Sequence, residues 1–310
     1  MLIGHLSARR AFLDAIGRGR LHHAWLISGP RGIGKRRFAD WAALSLLSAS
    51  ASMDEPPADS EAAHLLASGA HPDHRLLTPP EEGRGSATAS IIVDQVRALA
   101  DFLHSHPAIA PWRTLIVDSI DDMNPNTANA FLKELEEPGE RTVYLLVSHA
   151  PARLLPTIRS RCRMLRLFPL ADGEARAVLR ESNPDLADAE RESLLRLADG
   201  APGSVQELGG AGLVELERLL GGIAAGADPL PLVRSLQSPS ALPKFRALLA
   251  LVPRKLAEAA RRHPDPRWFP LYAEAETLQR DSIRLAYDRQ QVAMALTTIT
   301  ARMGRIQGQQ

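Results

Sequence analysis

Gly29, Pro30, Arg31, Gly32, Ile33, Gly34, Lys35 and Arg36 form a run suited to holding phosphate. Gly29 and Gly34, with four residues between them and Lys35 next, fit the Walker A pattern. In that pattern backbone N–H groups and a lysine ammonium surround phosphate oxygens at the start of a helix. The final position departs from it. Serine or threonine stands there when the loop also holds magnesium, and here it is Arg36. A guanidinium carries donors and no lone pair for a metal, and its charge competes with magnesium for phosphate oxygens.

Hydrolysis of a nucleotide needs more than this loop: an acidic residue at a strand end to hold magnesium, and a group to position water. Asp118, which follows Leu115, Ile116 and Val117, fits the Walker B aspartate. The next position, where such enzymes carry an acidic residue, is Ser119, too weak a base at neutral pH. Asp121 and Asp122 read as helix N-caps. His149, after a strand, reads as a surface or cap residue, with a phosphate contact as the alternative, and His22 and His23 read as packing beside the pocket. The site thus looks able to bind phosphate and poorly equipped to cleave it. Three other readings stay open: a glycine turn with an incidental lysine, a working ATPase with water in place of the hydroxyl, and a nucleotide kinase. The last has no visible acceptor site.

The elements that position these residues follow from periodicity. Ala24–Ser28, Thr114–Val117 and Thr142–Val147 are short apolar runs expected to be buried strands, and Met164–Phe168 alternates as a further strand. Arg75–Leu77 is a short strand candidate. Helices are expected over 37–47, 91–104 and 126–137, the last stopped by Pro138 and Gly139. Alternating strands and helices imply an α/β fold with a parallel sheet covered on both faces. His71, Pro72, Asp73 and His74 read as a solvated turn, because two histidines and one aspartate make a poor metal site without further ligands. Residues 48–60 and 78–90, rich in Ser, Pro, Glu and Gly, read as mobile loops. Beyond Pro169 only helices are expected: 172–181, 188–197, 204–208, 213–223, 229–236, 242–262, 268–287 and 289–302, with a frayed tail from Gly304.

With 310 residues and 45% hydrophobic content, two or three domains with filled cores are expected. The formal charge of +1 argues against a strongly basic nucleic-acid binder. Arginines dominate the cations, with four lysines in the chain, so single arginines are weak evidence of ligands. The single cysteine, Cys162, excludes an internal disulfide and a cysteine-rich zinc site. No apolar stretch approaches a membrane span and no signal core precedes the first strand, so a soluble cytoplasmic protein is expected.

Further motifs carry a family resemblance. Arg20-Leu21-His22-His23-Ala24, His71-Pro72-Asp73 and Asn129-Ala130-Phe131-Leu132-Lys133-Glu134-Leu135-Glu136-Glu137-Pro138 accompany the loop. Most specific is the run from Arg153 to Arg163, with its Ser160-Arg161-Cys162 triplet. Over about 1–170 the chain resembles the delta-prime family of bacterial DNA polymerase III subunits, in the clamp-loader branch of the AAA+ proteins; the resemblance is much weaker beyond. It implies an AAA+ P-loop α/β domain over 1–168, a small helical lid over 169–210 and an all-helical collar over 211–310. It implies a non-hydrolysing subunit, a component of a DNA-polymerase holoenzyme without independent ATPase activity. Such a subunit helps load the sliding clamp on primed DNA during replication. Arg161 would act in trans as an arginine finger. Gly29, Gly32, Gly34, Lys35, Arg36 and Asp118 would form a degenerate nucleotide site. The alternative within the family is an active ATPase of the gamma or tau type. The implied partners are gamma/tau and delta-type subunits, the sliding clamp and primed DNA, with no membrane. No cofactor is required, ATP or ADP binding is weak at most, and no zinc is expected, since the cysteines that hold it in relatives are missing from 48–69. Gly203 and Ser204 are followed by Val205 and Gln206, where ATP-hydrolysing relatives place a sensor arginine.

Overall fold

A computed structural model describes residues 2–48, 56–79, 90–206, 212–284 and 287–309. Most of the two anticipated mobile loops, 49–55 and 80–89, lies outside the described residues, as do 207–208 of one expected helix, the anticipated boundary at 210 and residues 285–286 of another helix. The chain divides into two compact units, Met1–Glu174 and Ala175–Gln310.

The first unit is the expected α/β layer. Its strands are β1 (Ala24–Ser28), β2 (His74–Leu77), β3 (Arg113–Asp118), β4 (Thr142–Ser148) and β5 (Arg163–Arg166), ordered β2-β3-β4-β1-β5. Every pairing is parallel, with Leu26 opposite Leu146 and Met164, and Leu115 opposite Tyr144. All residues of β1 and β4 are buried, as are all but Asp118 in β3, which is why these strands read as unbroken apolar runs. The edge strands β2 and β5 bury little. In an open parallel sheet, ligands sit beyond the carboxyl ends of the strands, and both the phosphate loop after β1 and Asp118 are there.

Helices α1 (Leu6–Gly17), α2 (Lys35–Leu47), α3 (Glu61–Ala67), α4 (Val93–Arg97), α5 (Ala100–His104), α6 (Pro125–Glu136) and α7 (Pro156–Ser160) complete this layer. α1 and α3 lie outside the elements expected from periodicity. The helix anticipated over 91–104 is broken into α4 and α5 at Ala98 and Leu99. α1 contributes Phe12, whose ring meets Trp25 edge-on at 5.0 Å and lies 6.0 Å from Trp41. This aromatic cluster ties α1 and α2 to β1, fixing the base of the phosphate loop.

The turn at His71–Asp73 is not solvated. His71 and Asp73 are buried, and the Asp73 carboxylate accepts the backbone N–H groups of Ala108, Ile109 and Ala110 at 2.5, 2.8 and 2.9 Å. Burial alone would push its carboxyl up, but these donors outweigh it and hold the pKa below the usual range. The Arg113 guanidinium lies 3.8 Å away and donates to the carbonyls of Phe102, Ser105 and His106. A short motif thus nails the segment before β3 to the start of β2.

The second unit is helical: most of α8 (Asp172–Ser182), then α9 (Asp188–Ala198), α10 (Leu213–Ala224), α11 (Leu230–Ser235), α12 (Leu242–Arg262), α13 (Trp268–Arg284) and α14 (Arg289–Gln307). One apolar cluster runs from Leu179 and Leu194 through Leu216, Leu248 and Leu296 to Ile306. The tail does not fray at Gly304. α14 continues to Gln307, Met303 and Ile306 are buried, and Gly304 packs so tightly on Ala224 that a Cβ there would lie 1.8 Å from its carbonyl oxygen. The glycine expected to begin a frayed tail is a close-contact residue inside α14 instead.

Candidate functional site

The phosphate loop leaves β1 and winds into α2 through Gly34, whose φ of 98° is a conformation that glycine tolerates at little cost. His5, just before α1, braces it from below, its Nε2 hydrogen-bonded to the Ile33 carbonyl at 2.9 Å. Nothing in the spacing of the chain pointed to this brace. Lys35 is almost fully buried, and its ammonium donates to the carbonyls of Gly29 and Pro30, each at 2.8 Å. Burial lowers its pKa to about 8; Asp121 and Asp118 oppose the shift and Arg31 adds to it. The lysine is folded back on its own loop, so a phosphate oxygen has to replace those carbonyls.

Arg36 answers a question its position raises. Its Nε donates to Asp40 Oδ1 at 2.8 Å, one turn along α2, and its Nη1 lies 3.6 Å from Asp118 Oδ2. The guanidinium therefore bridges the Walker B carboxylate and a second acid. Asp40 is held above the usual carboxylate range by burial, against the pull of Arg36. His74 lies in the same field: burial, then the charges of Arg36, His71 and Arg75, push its pKa down to about 4. This donor set does not fit magnesium. The hydroxyl ligand is replaced by a cation, and that cation is already on the carboxylate that would hold the metal.

The residues after Asp118 are turned to structural tasks. Ser119 is 2% exposed and its hydroxyl donates to Asp122 at 2.8 Å, so no base faces the loop from that position. Asp121 is not a helix cap. It accepts Ser148 Oγ at 2.9 Å and the backbone N–H groups of His149 and Ala150 at 2.6 and 3.2 Å, joining the ends of β3 and β4. The cap of α6 is Asn124, which accepts the Thr127 N–H at 2.9 Å. His149 lines a cavity of about 440 Å³ with Arg31, Asp121 and Arg153, so it is not simply a surface residue. Its pKa is lowered by burial and by the charges of Lys35 and Arg31, and its buried Nδ1 has no hydrogen-bond partner. His22 and His23 stack at 4.4 Å, and His23 Nε2 bonds the Leu135 carbonyl at 3.1 Å, a packing role.

Gly29, Gly32, Gly34, Lys35, Arg36 and Asp118 are thus brought together, whereas Arg161 stands apart. It follows α7, with its side chain about one-third exposed, and pairs with Glu136 Oε1 at 2.6 Å and with the Thr157 carbonyl at 3.0 Å. Cys162 is partly buried, and burial pushes its thiol up to about 12. In the helical unit the Gln206 amide donates to Ser182 Oγ at 2.7 Å.

Comparison with known proteins follows this division. The family model described as DNA polymerase III, delta subunit, matches residues 5–171. A DNA polymerase III subunit delta' of Pseudomonas aeruginosa is 40% identical over 64% of this chain and 59% of its own length. The subunit delta' of Escherichia coli is 33% identical over 61% of this chain and 55% of its own. The tau subunit of E. coli is 29% identical over 66% of this chain and 31% of its own. The chain therefore spans little more than half the length of the delta' relatives. A crystal structure of a DNA polymerase III gamma subunit-related protein from Thermotoga maritima covers 97% of this chain and all of its own, at a TM-score of 0.51 and 20% identity, a likeness of fold. Because the matched segment exceeds half of the chain and includes the phosphate loop, Asp118 and the Arg161 triplet, this chain belongs to the DNA polymerase III delta-subunit family.

Proposed function

We propose that the chain is a clamp-loader subunit of DNA polymerase III that does not hydrolyse ATP itself and lends Arg161 to ATP held by a neighbouring subunit. The observation that carries this reading is the Arg36 guanidinium lodged between Asp40 and Asp118. A fixed internal cation takes the place where magnesium would neutralise the phosphates. With Ser119 turned to Asp122 and Gln206 to Ser182, neither position offers a group to activate water or to add charge at the transferring group. Any ATP or ADP it holds binds weakly and without magnesium, and neither a required cofactor nor zinc enters the account.

Arg161 supports the second half. Its partner Glu136 is about half exposed, and an exposed ion pair is worth only about 0–1 kcal/mol. The guanidinium can therefore leave Glu136 for the γ-phosphate of an adjoining subunit at small cost. A guanidinium supplied in trans stabilises charge on the transferring phosphoryl group by roughly 10³ to 10⁵ in rate. The partners in this reading are gamma/tau and delta-type subunits, the sliding clamp and primed DNA, reached through the complex in the cytoplasm. Among the described residues no helix is long and apolar enough to cross a membrane. The gamma/tau-type alternative, an active ATPase, has the likeness to the tau relative in its favour and Arg36 against it.

The test is the clamp- and primed-DNA-stimulated ATPase of the reconstituted loader, with substitutions in this chain only. Arg161→Ala is expected to lower the rate and Lys35→Ala to leave it near wild type. The reverse pattern refutes the proposal.

A further inference from the structure

The helical unit contains a cavity of about 620 Å³ between α9, α10 and α12 that the phosphate-loop chemistry does not use. Five cations line it, Arg196, Arg254, Lys255, Arg261 and Arg262, against three carboxylates. Each carboxylate is already engaged. Glu217 takes Arg196 at 3.1 Å, Glu258 takes Arg262 at 2.5 Å, and Asp199 faces Arg261 at 3.8 Å. The excess of two positive charges falls on Arg254 and Lys255. Lys255 has no ion pair or hydrogen bond among the described residues. Arg254 is half-buried, with one long bond from Nη2 to the Ala198 carbonyl at 3.5 Å, and its Nη1 is buried with no partner at all. Burial lowers the pKa of this guanidinium, the charge of Asp199 opposes that shift, and Arg261 adds to it.

Two solvated cations on a helix face would need no explanation, but Arg254 Nη1 is not solvated. A charged donor withdrawn from water without an acceptor is costly. Arg254 lines the cavity beside a second unpaired cation, Lys255, an arrangement that one oxyanion would satisfy. We propose that this cavity binds phosphate groups, gripped by the Arg254 guanidinium and the Lys255 ammonium. A net charge of two matches a phosphate dianion, and the volume exceeds what a lone carboxylate fills. The phosphate can come from a free diphosphate or from the backbone of a nucleic-acid strand.

The experiment uses the full chain carrying Lys35→Ala, so that the P-loop does not compete, in buffer without magnesium. Thermal shift with pyrophosphate and fluorescence anisotropy with a short thymidine oligonucleotide lacking a terminal phosphate are the two probes. In this background pyrophosphate is expected to raise Tm. Adding Arg254→Gln should weaken binding about tenfold or more, the loss expected for hydrogen bonds to a charged group, and Lys255→Gln should weaken it less. Because Nη1 has no internal partner, Arg254→Gln should not lower the ligand-free Tm; Lys255→Gln, in a side chain with no ion pair or hydrogen bond among the described residues, tests the same claim should it do so. Oligonucleotide binding that pyrophosphate displaces identifies a nucleic-acid strand as the source, and pyrophosphate binding alone identifies a free phosphate; either supports the site. No binding of either probe, or equal binding after both substitutions, overturns it.

Discussion

Replacing Arg36 with threonine restores the hydroxyl that a metal-binding phosphate loop carries and removes the cation from Asp118. Two unit charges 4 Å apart at an effective dielectric of about 20 interact by about 4 kcal/mol, so a divalent ion beside the guanidinium meets about 8 kcal/mol of repulsion. Arg36 and Asp118 are about a third and a quarter exposed, so water and salt screen much of this. A residual of ~2–3 kcal/mol corresponds to roughly 30- to 150-fold in magnesium affinity. The fold itself should hardly notice, since a partly exposed pair such as Arg36–Asp118 is worth at most about 1 kcal/mol. The assay is titration of the isolated chain with a fluorescent ADP analogue, with and without millimolar magnesium. The wild type should bind weakly and respond little to magnesium, while Arg36→Thr should tighten by one to two decades when magnesium is added. Magnesium-dependent binding by the wild type would refute the reasoning.

Other expectations follow from the same contacts. Asp73→Ala leaves Arg113 buried without its counter-charge and should cost about 3–5 kcal/mol, read as a fall in denaturant midpoint. Because the folded-state pKa of Asp73 is depressed, its stabilisation is complete above the unfolded carboxylate value of about 3.9 and is lost as pH falls through the folded value. The acid limb of Tm against pH should therefore flatten in the variant. Lys35 has the same sign in an alkaline window: its pKa is lowered to about 8, so between about 8 and 10.4 the unfolded chain holds a proton that the folded chain has released. Its contribution to stability rises with pH across that window, and Lys35→Met should remove this rise from the alkaline limb. Gly304→Ala forces a Cβ onto the Ala224 carbonyl and should destabilise the helical unit by about 1–3 kcal/mol, seen in its thermal transition.

What could be read from the chain were features local in sequence. β1, β3 and β4 are buried on both faces, so their apolar runs stood out; the P-loop and Asp118 carry their chemistry in spacing alone. Features that depend on distant partners were not legible. Asp73 looked like a turn residue because its three N–H donors lie at residues 108–110, and Asp121 looked like a cap because its acceptor role is filled from the end of β4. α1 breaks its apolar pattern with Arg9 and Arg10, so its packing through Phe12 on Trp25 had no periodic signal. The sequence placed Arg36 at the metal position but could not say that its guanidinium reaches Asp118, which depends on where α2 sets that side chain relative to the end of β3.

The central claim is that this chain's phosphate loop does not turn over ATP. The most direct measurement is the clamp- and DNA-stimulated ATPase of a reconstituted loader in which every other subunit's P-loop lysine is replaced by alanine, leaving Lys35 as the intact one. The account predicts no hydrolysis above background, unchanged by Lys35→Ala. Stimulated turnover that disappears with Lys35→Ala would contradict it.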